Sequence, residues 1–216
     1  MSSSRIKLMG SITWMTETEE SQTFHQEEDK SSPLVHGDDS TLFMGQKERR
    51  RSSDTKSQLG DYLNLQTNSA ILKLIAKTGD SKVLFSDEVV KVNKRLKMQN
   101  RVLLITDTAI YNLNVGNFKV KRRIALQNLG SVSLSQLTDN FFAMCIPSEY
   151  DYLMVSNKKI EIVQVLMDAF KTLTGNALIV NFSNSFEYRI DEKSVREIRF
   201  TNVDGGVSTQ VFAKKD

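Results

Sequence analysis

The chain has 216 residues, is 39% hydrophobic and 25% charged, and carries a formal net charge of +3. No run approaches the roughly 20 apolar residues that span a bilayer, and no apolar stretch follows Arg5 and Lys7 as a signal peptide requires. The single cysteine, Cys145, rules out an intrachain disulfide and fits a reducing, intracellular compartment, while Ser2 after Met1 excludes N-myristoylation.

The charge is unevenly placed. Residues 1–46 hold Arg5, Lys7 and Lys30 against eight Asp and Glu, a net −5, so the remainder carries +8. This segment is rich in Ser, Thr, Glu and Asp and has no sustained apolar period; Trp14, Phe24, Leu42 and Phe43 are too scattered to build a core. It reads as a disordered acidic tail. Residues 47–59 form a basic linker, with Lys47, Arg49, Arg50 and Arg51 ahead of Ser52 and Ser53. An acidic tail before a basic domain suits a chain that meets a polyanion.

The folded domain is expected from Gly60 to the end, residues 60–216. A short helix is predicted over Asn68 to Lys77, where Ile71, Leu72, Leu74 and Ile75 give an apolar face and Gly79 stops it. Strands follow at Val83–Lys94, Arg101–Asp107, Ala109–Asn114, Lys119–Leu126, Ser131–Leu137, Phe141–Ile146 and Tyr150–Ser156, punctuated by Gly, Asn, Asp and Pro. Asn157 is the expected cap of a helix reaching about Leu173, with Ile160, Val163, Leu166, Met167 and Phe170 on its apolar face and Gly175 at its end. Strands at Ala177–Phe182, Phe186–Ile190 and Arg196–Val203 complete the chain. The fold class is therefore α+β, mainly β. Seven strands followed by one amphipathic helix is the order of a pleckstrin-homology-like antiparallel barrel or sandwich, here with a short N-terminal helix and extra C-terminal strands.

Cations cluster in two places besides the linker. Lys91, Lys94, Arg95, Lys97 and Arg101 fall within eleven residues that contain no acid, where one loop between strands could aim several donors at a phosphorylated headgroup. Alternation along the next candidate strand would send Lys119, Lys121 and Arg123 to one face. Each basic residue near an anionic membrane is worth about 1 kcal/mol, so such clusters together could hold the domain reversibly on a surface. The competing reading of each is a solvated polar loop or a charged edge that discourages strand pairing.

Catalytic and metal chemistry find little support. His25 and His36 lie in the tail, and Cys145 sits in an apolar strand as a structural thiol would. His and Cys are not spaced for zinc, and Asp87-Glu88 and Asp191-Glu192 are adjacent acids in expected turns. No catalytic residue, cofactor or metal is expected. Nucleic acid is not an expected partner, because the basic stretches lack interleaved aromatic stacking platforms.

Several strings carry a family resemblance. Lys47-Glu48-Arg49-Arg50-Arg51-Ser52, Gly60-Asp61-Tyr62-Leu63, Val83-Leu84-Phe85-Ser86-Asp87 and Arg101-Val102-Leu103-Leu104-Ile105-Thr106-Asp107 resemble the myosin-I tail homology 1 domain. So do Ile124-Ala125-Leu126, Leu129 to Ser135 and Thr138-Asp139-Asn140, and the likeness runs from about residue 47 to 205. It implies a module that ends class-I myosins and docks them on membranes through anionic lipid, with phosphoinositide contacts between the first two strands. The implied pattern is a Lys late in the first strand, then a basic residue two before an Arg; Lys91 or Lys94 and Arg101 fit, whereas Gln99 takes the middle position. Charge-driven binding is thus expected ahead of stereospecific recognition. No Gly-x-x-x-x-Gly-Lys-Ser/Thr phosphate loop occurs, so the sequence is expected to act without a motor. The expected role is a cytoplasmic, non-enzymatic module, peripheral on the inner face of the plasma membrane or on endomembranes. The alternative is a protein-interaction scaffold on the same fold, with actin-cytoskeleton or myosin proteins as partners.

Overall fold

The computed structural model describes the backbone of residues 12–17 and all of residues 60–214. The basic linker at 47–59, His25, His36 and the rest of the expected tail lie outside the described residues.

Twelve strands and two helices are present among the described residues. In chain order they are β1 (Ile12–Glu17), α1 (Ser69–Lys77), β2 (Val83–Val92), β3 (Met98–Thr106), β4 (Ala109–Leu113) and β5 (Val120–Ala125). Then come β6 (Ser131–Leu134), β7 (Phe141–Cys145), β8 (Tyr152–Val155), α2 (Lys159–Thr174), β9 (Ile179–Phe182), β10 (Ser185–Asp191), β11 (Ser194–Val203) and β12 (Gly206–Lys214). Single 3-10 turns at Leu65–Thr67 and Leu126–Asn128 lead into α1 and β6.

Two open sheets result. Eight strands run in the order β5-β4-β3-β2-β8-β7-β6-β9, and four in the order β1-β12-β11-β10. The larger sheet does not close into a barrel: β6 pairs in parallel with β9, which leaves β5 and β9 as free edges. Its seven antiparallel strands nonetheless turn one face onto a single core. Phe85, Leu103, Ile110, Ile124, Val132, Phe142 and Tyr152, one from each of β2 to β8, meet there with Ile162, Val163, Leu166 and Ala169 of α2.

The other face is also covered, which explains why these strands read as apolar runs without alternation. Along β3, Leu103 and Ile105 face the inner core, while Val102 and Leu104 join Leu65, Ile71 and Ile75 beneath α1. Farther along, Phe141, Ala143 and Leu153 pack against Phe186, Ile198, Phe200, Val207 and Val211 of the smaller sheet.

Local signals fix the entry to the domain. Asn68 caps α1, its Oδ1 accepting from the Ala70 and Ile71 amides at 3.0 and 3.2 Å. Gly60 has φ +105°, and a Cβ there would stand 2.6 Å from the Leu84 carbonyl oxygen, so glycine is required where the chain meets β2. Beside it Asp61 accepts from the Leu65 and Gln66 amides at 2.9 and 2.8 Å and from the Ser86 hydroxyl.

Three expectations need correction. Ile12–Glu17, expected within a disordered tail, pairs antiparallel with β12 from Ile12↔Val211 to Glu17↔Gly206. Its sequence, ITWMTE, is rich in β-branched and aromatic residues, and it satisfies the backbone of an otherwise open edge. Second, the strands do not end at Val203 as expected: β12 (Gly206–Lys214) follows a turn with Gly205 and Gly206 at positive φ. Third, Asn157 does not cap α2: the helix starts at Lys159 with no side-chain cap, and its buried face is Lys159, Ile162, Val163, Leu166 and Ala169. Ile160, assigned to the core by spacing, is 63% exposed. Lys159 turns inward instead because buried Asp139 holds its ammonium at 3.3 Å.

Candidate functional site: a cationic mouth at one end of the large sheet

The stretch from Lys91 to Arg101 is mostly strand. β2 ends at Val92 and β3 starts at Met98, so the turn is confined to residues 93–97. Asn93 organises it, its Oδ1 accepting from the Arg95 and Lys97 amides at 2.8 and 3.1 Å, and Leu96 takes a left-handed φ of 59°. Lys94, Arg95 and Lys97 are exposed on this hairpin. The Lys94 carbonyl accepts from Arg196 at 2.7 Å, which ties the turn to the smaller sheet.

Lys91 and Arg101 do not belong to the turn. Lys91 pairs across Gln99, and Arg101 across Val89, so both side chains lie on the face that carries Val89 and Leu103 into the inner core. They stand where that core opens. Tyr152 lines the same opening, buried, and accepts from Asn112 Nδ2 at 3.3 Å. The Lys91 ammonium lies 4.1 Å from the Tyr152 ring centre and 5.4 Å from that of Tyr150.

The strand from Lys119 does not behave as alternation predicted. The β4–β5 register shifts between Asn112↔Arg122 and Leu113↔Val120, so a bulge falls at Lys121 and the three chosen cations do not share one face. Lys119 and Lys121 are exposed. Arg123 is committed to structure: its guanidinium donates to the Tyr111 hydroxyl at 3.0 Å and to buried Asp80 at 2.8 Å. Burial alone would raise the Asp80 pKa, but hydrogen bonds from Thr108, Tyr111 and Arg123 hold it below the usual carboxylate range.

Arg122, which sequence reasoning passed over, occupies the mouth. It lies on the same face as Ile124 of the inner core, and its guanidinium carbon sits 4.0 Å from the Tyr150 ring centre and 4.7 Å from that of Tyr152. It donates to the Tyr150 carbonyl at 3.3 Å and pairs with Glu149. Its side chain is only 10% exposed, and its Nε is buried without a hydrogen-bond partner. The bulge gives the signal in retrospect, because it reverses which of residues 121–123 turn inward.

Three cations thus converge. Burial, then Arg122, then Arg101 push the Lys91 pKa down to about 8. Among the described residues neither Lys91 nor Arg101 makes an ion pair with an acid. Between the hairpin, Tyr150, Tyr188 and Asp191 lies a cleft of about 340 Å³. Exposed Met98 and Val115 stand on the two hairpins at this same end. Other polar groups are spent on architecture: Asp107 accepts from the Ser81 and Lys82 amides at 2.9 and 3.1 Å, and Asp139 from Phe141 at 2.8 Å. Half-buried Cys145 has a thiol pKa raised by burial first and Asp151 second. No group of three or more His, Cys, Asp or Glu among the described residues could hold a metal ion, and no helix among them is long and apolar enough to cross a membrane.

The molecule so far is a mainly β domain with two helices and a cationic end. Comparison with known proteins then places it. Residues 49–216 match the family model for the unconventional myosin tail, described as actin- and lipid-binding, and the chain belongs to that family. Myosin heavy chain IB of Acanthamoeba castellanii is 32% identical over 81% of this chain and 16% of its own length. Myosin ID heavy chain of Dictyostelium discoideum is 35% identical over 64% of this chain and 13% of its own, and human unconventional myosin-Ia 30% identical over 82% and 17%. The chain therefore spans less than a fifth of these curated relatives. A solved structure of the human myosin 7b C-terminal MyTH4-FERM domain with harmonin-a PDZ3 aligns at a TM-score of 0.38 and 13% identity over 49% of this chain and 20% of that one, too distant to carry an argument.

Proposed function

We propose that the chain is a peripheral membrane-binding module that docks on acidic phospholipid through the mouth formed by Lys91, Arg101 and Arg122, aided by Lys94, Arg95, Lys97, Lys119 and Lys121. The observation that carries this reading is the convergence of Lys91, Arg101 and Arg122 at one opening, where burial and then repulsion from the two guanidinium groups lower the Lys91 pKa to about 8. An arriving phosphate relieves that repulsion, and guanidinium groups supply charge-assisted, paired donors for it. The exposed lysines and arginine around the mouth add attraction of about 1 kcal/mol each at an anionic surface. Met98 and Val115 can meet the interfacial region beside them. Gln99, directly across from Lys91, replaces a third cation on the hairpin, which favours recognition of negative charge over one phosphoinositide isomer.

We read the domain as a binding module and not an enzyme, resident on the cytoplasmic face of a membrane. Its helix-capped core follows the pleckstrin-homology plan in strand and helix order, and the mouth draws on β2, β3, β5 and β8. A second reading follows from the family's description, which names actin as well as lipid; exposed Lys94, Arg95 and Lys97 would make that contact too. Co-sedimentation with phosphatidylglycerol–phosphatidylcholine vesicles, pure phosphatidylcholine vesicles and filamentous actin tests both. Pelleting with the anionic vesicles alone supports the lipid reading, equal pelleting with both vesicle types overturns it, and pelleting with filaments supports the second.

A further inference from the structure

We propose that Glu149 is a built-in competitor for the anion site, a carboxylate that occupies Arg122 until a lipid phosphate displaces it. This rests on the reading of the mouth as the lipid site.

Three acids border the mouth, and two are fixed elsewhere. Asp151 accepts from the Ile146 amide at 2.9 Å and the Arg189 amide at 2.7 Å. Asp191 accepts from the Lys193 amide at 3.1 Å within the β10–β11 turn. Glu149 alone of the three gives its carboxylate to a cation of the cluster.

The two partners in that pair are unequally held. Arg122 is nearly buried, stacked on Tyr150 and bonded to the Tyr150 carbonyl, so it stays in place if its partner leaves. The Glu149 side chain is 45% exposed and can swing into water. The loop need not move. Its backbone is pinned by the Glu149 amide donating to the Ile146 carbonyl at 3.0 Å and by Asp151 on the other side. Exchange of carboxylate for phosphate leaves Arg122 paired throughout, so no buried charge is stranded.

The same contact sets a threshold. A surface of low anionic density must compete with an intramolecular carboxylate at high effective concentration, whereas a dense one wins. The test is vesicle co-sedimentation across a series of phosphatidylglycerol fractions in phosphatidylcholine, comparing wild type with Glu149→Gln. Glu192→Gln removes an equal charge from the neighbouring β10–β11 turn without touching Arg122. We expect Glu149→Gln to bind about fivefold tighter at low phosphatidylglycerol, Glu192→Gln to bind as wild type, and the gain to vanish in an Arg122→Gln background. Glu149→Asp, one methylene shorter, repeats the test should the glutamine variant fail to melt cooperatively. Equal gains from Glu149→Gln and Glu192→Gln, or a gain that persists without Arg122, overturn the proposal and leave the lipid site standing. Failure of wild type to bind any anionic vesicle overturns both.

Discussion

Arg122 and Arg123 are neighbours on β5, yet their guanidinium groups work on opposite faces of the sheet. Arg122 lies over Tyr150 at the open mouth, and Arg123 reaches Asp80 beside α1, 2.8 Å away. Arg122 borders the proposed anion site, and Arg123 is tied into the fold.

The first prediction follows from that division. Arg123→Ala leaves the Asp80 carboxylate, whose side chain has no exposed surface, short of its charged partner. The loss should be about 2 kcal/mol, the usual worth of hydrogen bonds to a charged group. Urea unfolding should show it as a lowered midpoint, with binding to anionic vesicles unchanged below the transition. The Asp80 pKa is depressed in the folded state, so its contribution is present above the unfolded carboxylate pKa and disappears as pH falls through the folded value. The variant should therefore lose less stability than wild type on acidification. A binding defect in a fully folded Arg123→Ala protein would place this residue in the site after all.

The exposed hairpin should act through charge and not through shape. Replacing Lys94, Arg95 and Lys97 together with Gln should weaken vesicle binding by about a hundredfold and flatten its salt dependence, each residue being worth about 1 kcal/mol near the surface. Exposed charges contribute little to stability, so the melting temperature should stay close to that of wild type. Unchanged binding would confine recognition to the mouth.

Lys91 makes binding sensitive to mildly alkaline pH. With its pKa near 8, it is mainly charged at neutrality and mainly neutral a little above pH 9. Arg101 and Arg122 are the cations that face it. Binding to phosphatidylglycerol vesicles, whose headgroup does not titrate there, should weaken severalfold as pH rises from neutrality through that range. Lys91→Met should remove this fall. The stability effect has the opposite sense: the unfolded chain holds more protons between the folded pKa and the usual lysine value, so stability rises with pH across that window. A pH-independent wild type would contradict the placement of Lys91.

The edge strand carries a prediction of its own. Removing residues 1–17 takes away β1 and leaves the backbone of β12 unpaired along Gly206 to Val211. An open edge invites pairing with another chain. Sedimentation velocity should show concentration-dependent self-association of the truncated protein and a monomer for the full chain. Two identical profiles would show that β1 shields nothing.

Much of the frame was legible in the sequence. Asn68 before an apolar helical face and the apolar runs of β2 to β8 are local signals, and the structure uses them locally. Several residues of the strings that carried the family resemblance are architectural: Gly60 and Asp61 dock the entry on Ser86, Asp107 ties β3 to the approach to β2, and Asp139 anchors Lys159. What could not be read is long-range or breaks a period. The bulge at Lys121 turned Arg122 to the inner face and Arg123 to the other. A buried acid drew Lys159 inward and rotated the apolar face of α2. β1 depends on an edge nearly 200 residues away, formed by Gly206 to Val211, and no local pattern announces that partner.

Lys91, Arg101 and Arg122 are proposed to form one anion site on the inner face of the large sheet. Its most direct test is co-sedimentation of the Arg101→Gln/Arg122→Gln protein with phosphatidylglycerol–phosphatidylcholine vesicles at near-physiological salt, beside a Lys119→Gln/Lys121→Gln protein that loses the same charge from exposed positions. The mouth variant should lose most binding, while the surface variant should lose only the several-fold share expected of diffuse attraction. Both should melt cooperatively. Equal losses in the two folded variants would mean that charge alone, without a defined site, holds this domain to a membrane.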